Sequence, residues 1–188
     1  MELHRLGFKL FVQSPASISL RDFIPVFHGW IQKQTIEDHL LIDVHDYSHI
    51  QGGPGILLVA HEGNFSIDMA EARPGLLYYR KQPPRSATDN LFTVALRTTL
   101  QACHLLEEEG NVRFRTDELQ VIANDRLFAP NDEGTFSQLR PSLSSVLKTV
   151  LNGADFTMTR VSSDPKERFM LRIRTGQSSG VKTLLGRI

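Results

Sequence analysis

From Arg5 to Gln13 the chain alternates: Leu6, Phe8, Leu10 and Val12 share one parity and Lys9 lies on the other, the two-residue period of a strand. After the break at "SPAS" the period changes. Phe23, Phe27, Trp30 and Ile31 fall on one helical face, with Asp22 at the N-cap position and Pro25 inside the tolerated first turn. His39 to Ile50 reads as a second strand, and "QGGPG" as a turn, because glycine supplies positive φ and proline removes a donor. Ile56 to Ala70 reads as one long third strand, bulged at Gly63 and Asn64. "LLYYRK" is a fourth strand, and Gln82 to Asp89 a loop.

The clearest helix runs from Asn90 to Gly110, where Phe92, Leu96, Thr99, Cys103 and Leu106 form a stripe and glycine supplies the stop. "VRFRTDELQVIA" and "RLFA" read as two strands joined by a tight turn at Asn124 and Asp125. Leu139, Leu143, Val146, Leu147, Val150 and Leu151 form a third helical stripe, with Thr135 and Gln138 as a capping box and Pro141 as a kink or restart. "DFTMTRV" and "RFMLRIRT" are the last two strands.

The element order is β-α-βββ-α-ββ-α-ββ, which predicts an α+β fold: a mainly antiparallel sheet of about eight strands with three helices. Its helix, three strands, helix, two strands, helix core is similar in element order to type III secretion chaperones, and element order carries no function across. Residues 1–176 form the expected single domain, and 177–188 a polar linker with a short apolar tail. The expected core includes Phe27, Leu58, Phe65, Ile67, Leu96, Val146 and Leu147, each on the apolar phase of its segment.

Composition narrows the function classes. The chain has 188 residues, of which 21 are Lys or Arg and 21 Asp or Glu, so it lacks the basic excess of a nucleic-acid binder. A lone cysteine, Cys103, cannot close an internal disulfide. There is neither a signal-peptide pattern nor an apolar run of membrane-spanning length, so the expected location is cytoplasmic, with no membrane partner. Zero net charge, sheet edges and the apolar "LLGRI" end together suggest a homo-oligomer.

Candidate chemistry concentrates between Ile42 and Asp68. A hairpin register that set His45 across from His61 would gather Asp43, His45, His61 and Glu62. That is a ligand set for a divalent metal, zinc or iron, or a general base without one. A one-residue slip would scatter it, and polar residues along the solvent side of an antiparallel hairpin need no other explanation. Arg113 and Arg115, with Arg80, form a second candidate patch for an anion or a partner. The favoured reading is a non-enzymatic binding module for a protein partner or small ligand, with no cofactor. The alternative is an enzyme using the His/Asp/Glu hairpin.

Overall fold

The structure is a computed structural model and describes residues 3, 5–15, 18–83, 90–110 and 112–188. The expected break at 14–17 and loop at 82–89 lie partly outside these residues. Among them the chain forms β1 (Leu6–Val12), α1 (Phe23–Lys33), β2 (Leu41–Tyr47), β3 (Gly55–Ala60), β4 (Gly63–Asp68) and β5 (Gly75–Arg80). Then follow α2 (Leu91–Glu108), β6 (Phe114–Ala123), α3 (Glu133–Val150), β7 (Phe156–Arg160), β8 (Phe169–Thr175) and a short α4 (Val181–Leu185). The strands make one antiparallel sheet in the order β2-β3-β4-β5-β1-β6-β8-β7. The fold is therefore α+β, as the periodicity predicts.

One face of the sheet carries the apolar parity. Leu6, Phe8 and Leu10 of β1 join Phe65 and Ile67 of β4, Val121 of β6 and Leu171 of β8 in a single cluster with Phe27, Leu96, Val146 and Leu147 from the helices. Every expected core residue is buried. The caps are local. Asn90 accepts the N–H of Phe92, and Asp132 accepts that of Thr135, so the second cap is Asp132 rather than a Thr135 box. Pro141 lies inside α3 without ending it.

Two elements differ from expectation, and the changes offset each other in the strand count. Ile56 to Ala70 is not one bulged strand but two, β3 and β4, reversed at His61 and Glu62. Just past the reversal Gly63 lets the Tyr78 ring pack against the main chain, where a Cβ would stand 2.7 Å from the ring. Arg126 to Ala129 is a turn, not a strand. The Asp125 carbonyl accepts the Ala129 N–H at 2.6 Å, using a donor that a ladder would need. The apolar end of the chain is not left for a second copy: Val181 and Leu184 are buried in the core, with α4 packed on α2. No helix among the described residues is long and apolar enough to cross a membrane.

Candidate functional site

The helix-free face of the sheet is polar, and its centre is an ion network. Lys9 projects there from β1, 1% exposed, and bonds Asp68 at the end of β4. Burial holds the Lys9 ammonium below its ordinary range, against the pull of Asp68. The connection from β4 to β5 folds over this pair, with Ala70 donating its N–H to Asp68 at 3.2 Å. Glu118 of β6, 4% exposed, lies 2.8 Å from Arg73 of that connection and 3.3 and 3.6 Å from Arg172 and Arg174 of β8. Glu71 and Ala72 hold positive φ, 60° and 53°. The Glu71 carboxylate is fixed by Arg172 at 2.9 Å and Gln120 at 3.3 Å.

Glu71 leads to a cleft of about 810 Å³ at one end of the sheet. Four cations line it: Arg5 before β1, Arg126 after β6, and Lys166 and Arg168 before β8. Strand pairing brings them together. Leu6 pairs with Ala123, and Ala123 with Phe169, so the start of β1, the end of β6 and the start of β8 share one end. None of the four is ion-paired among the described residues; the carboxylates of the cleft are Glu71, already committed to Arg172, and Glu167. Arg5 also lines a second, neighbouring cleft of about 540 Å³, with Ile42, His61, Asn64, Tyr79 and Lys81 among its walls.

Two residues of its wall, Asn64 and Tyr79, carry a polar atom just beneath the surface, the Asn64 Oδ1 and the Tyr79 hydroxyl, each shut off from solvent and without a hydrogen-bond partner among the described residues. Burial pushes the Tyr79 phenol up to about 12, so it remains a donor. Asn124, with Arg5 and Arg168 nearby, pulls the other way. Gly7 makes room for the ring: a Cβ there would stand 2.8 Å from Tyr79 Cδ2 and 2.7 Å from the Tyr78 carbonyl. An unsatisfied buried polar group costs free energy unless something else supplies the partner. With unpaired cations beside it, the cleft can hold an anion that also carries hydrogen-bonding groups.

The residues singled out in the sequence are not brought together. Asp43 pairs with Val59 and His45 with Leu57, because β3 ends at Ala60 and leaves His61 in the turn. Asp43 and His45 remain exposed on β2, with His45 Nε2 3.5 Å from Asp43 Oδ2. His61 lines the second cleft, while Glu62 accepts the Leu40 N–H at 2.9 Å. Partial burial works against the charge of Glu62, but bonds from Leu40 and its own backbone, with His39 and His61 nearby, hold its carboxyl below the usual range. Among the described residues no three His, Cys, Asp or Glu side chains are placed to hold a metal ion. The three arginines also stand apart. Arg113 donates to the Glu107 carbonyl at the end of α2, and Arg115 grips Asp117 through two bonds of 3.0 and 2.8 Å. Arg80 is buried on the helix side, donating to the Gln82 and Pro83 carbonyls and, at 3.4 Å, to the Tyr78 hydroxyl.

That hydroxyl also donates to His39 Nε2 at 2.7 Å, while His39 Nδ1–H reaches the Glu37 carbonyl at 3.0 Å. A neutral imidazole satisfies both contacts, and burial lowers the His39 pKa accordingly. The arrangement closes on itself and bonds the end of β5 to the segment before β2. The cleft residues Arg5, Asn64, Tyr79, Arg126, Lys166 and Arg168 escape a reading by sequence windows, since they come from different strand ends. The available signal is that basic residues recur where the chain reverses at that end. The chain matches no protein-family model, no curated protein and no solved structure.

Proposed function

We propose that this protein is a binding module for a small organic anion, with phosphate or carboxylate groups held by Arg126, Lys166, Arg168 and Arg5, and a hydrogen-bonding portion placed against Asn64 and Tyr79. One observation carries the reading: two neighbouring clefts that share Arg5 bring together cations and buried polar atoms that have no partner among the described residues. Clefts of about 810 and 540 Å³ are of small-ligand size. Guanidinium groups suit planar or tetrahedral oxyanions, which they contact through paired N–H donors. The amide oxygen of Asn64 calls for a donor on the ligand, and the Tyr79 hydroxyl supplies one to it. The fit is therefore to an anion bearing amino or hydroxyl groups rather than to a bare inorganic ion.

The test is calorimetric titration with inorganic phosphate, citrate, glucose 6-phosphate and adenosine monophosphate. An organic anion should bind more tightly than inorganic phosphate. Arg126→Ala combined with Arg168→Ala should weaken binding at least about tenfold, a loss of about 1.4 kcal/mol, without lowering thermal stability. Affinity should fall as salt rises, because the cations are exposed. Failure of all four probes to bind, or binding indifferent to both arginines, rules the reading out.

A further inference from the structure

At the edge of the sheet beyond β8, β7 is the last strand and has β8 as its strand partner. Val161 donates its N–H to the Met170 carbonyl, which sets the alternation of the ladder: Thr157 and Thr159 bond towards β8, while the main chain of Phe156, Met158 and Arg160 faces outward. Phe156 and Met158 turn half-buried apolar side chains to the helix side of the sheet. Behind them, between β7 and α3, runs a groove of about 540 Å³. Its far wall is α3, where Arg140, Ser144 and Lys148 stand four residues apart along one face. Neither cation is ion-paired among the described residues, and the carboxylate lining the groove is Asp155.

We propose that this edge is a docking site for an extended acidic segment of another protein, which adds to the sheet as a ninth strand beside β7. The open main chain of Met158 and its neighbours supplies the ladder bonds, as in other strand-addition sites. The groove supplies the selectivity. Arg140 and Lys148 are eight helical residues apart, about 12 Å. Residues four apart in a strand are separated by about 13 Å and face the same side. The matching segment therefore carries an acidic residue, then an apolar one two positions on, then a second acidic one two further. The apolar side chain meets Phe156 and Met158, and the two carboxylates meet the two cations. A second copy of this chain is a poorer occupant. Two-fold pairing of β7 with its own copy would set Arg140 and Lys148 beside the same cations of the partner, and like charges there repel.

The test uses the full chain and a fluorescein-labelled peptide, Ser-Glu-Thr-Ile-Thr-Glu-Ser, read by fluorescence anisotropy. The peptide should bind saturably. Binding should weaken at least tenfold with Arg140→Glu combined with Lys148→Glu, both exposed and neither needed by the core. It should be lost when the two glutamates are lysines, and lost when the peptide amides facing β7 are methylated, since methylation removes ladder donors. An unchanged circular dichroism spectrum and melting temperature show that the double variant is folded. Equal binding of the lysine peptide, survival after charge reversal, or no saturation at millimolar peptide each overturns the proposal. Sedimentation that shows the parent as a dimer into which the peptide does not compete would place a second copy on the edge, and overturns it equally.

Discussion

Lys9→Met tests whether the buried ion pair holds the polar face in place. Lys9 is 1% exposed and the Asp68 side chain 11%, so water supplies little of the solvation either charge would have in the unfolded chain. Methionine keeps most of the lysine stem and removes the charge. Asp68 then retains the Ala70 N–H at 3.2 Å but loses the cation that bonds it. Stranding one partner of a buried pair costs about 3–5 kcal/mol, and a domain has in all about 5–15 kcal/mol of stability. At this chain length the loss corresponds to a fall of about 6–20 °C in Tm. Replacing both charges, Lys9→Met with Asp68→Leu, leaves no stranded ion and should recover most of that loss. The assay is urea unfolding followed by Trp30 fluorescence, run on the parent, both single variants and the double variant as a thermodynamic cycle. If Lys9→Met costs less than about 1 kcal/mol, or if the double variant is no better than the single, the pair does not act as a unit and the reasoning fails.

Leu96→Ala and Leu147→Ala, at two positions with no exposed surface, should each cost about 2–5 kcal/mol by the same urea assay, and values within error of the parent would remove them from the core. For His39, burial lowers the folded pKa below the ordinary 6.5, so the unfolded chain takes up the proton first. The stability it contributes should be complete above about pH 6.5 and decline as pH falls below that, and His39→Gln should flatten this part of the profile. An identical acid slope in parent and variant counts against it.

The period-2 and period-3.6 segments were legible because each depends on neighbouring residues alone. The Phe92 to Leu106 stripe and the core positions at Phe65 and Ile67 follow from that local pattern. The reversal at His61 was not legible. The two halves around it, "ILLVA" and "NFSID", are each good strand sequences, and the choice between a bulge and a turn is made by pairing: the second half folds back on the first and lies beside β5. The hairpin register was missed for the same reason: once His61 falls in the turn, Leu57 takes the place opposite His45. The cleft was hidden more deeply. Arg5, Arg126 and Arg168 are more than 160 residues apart end to end in sequence, and they meet because β1 lies between β5 and β6 with β8 beyond. Strand order is set by non-local packing, which a sequence window does not contain.

Tyr79→Phe separates a binding role for the cleft from a purely structural one, because the two give opposite signs. In the free protein the Tyr79 hydroxyl is shut off from water and has no hydrogen-bond partner among the described residues. A buried hydroxyl in that state has lost its hydration without compensation, a cost of about 1–3 kcal/mol. Phenylalanine keeps the ring in the space that Gly7 leaves and removes only the oxygen. Tyr79→Phe should therefore leave stability unchanged or raise it by about 1 kcal/mol, while weakening whichever organic anion the cleft binds. Stability lost without a ligand, with affinity unaltered, would mean that the hydroxyl is already satisfied within the chain. Stability kept and affinity lost means that the free protein tolerates an unsatisfied donor because the ligand completes it. Urea unfolding without ligand and calorimetric titration on the same preparation decide between the two outcomes.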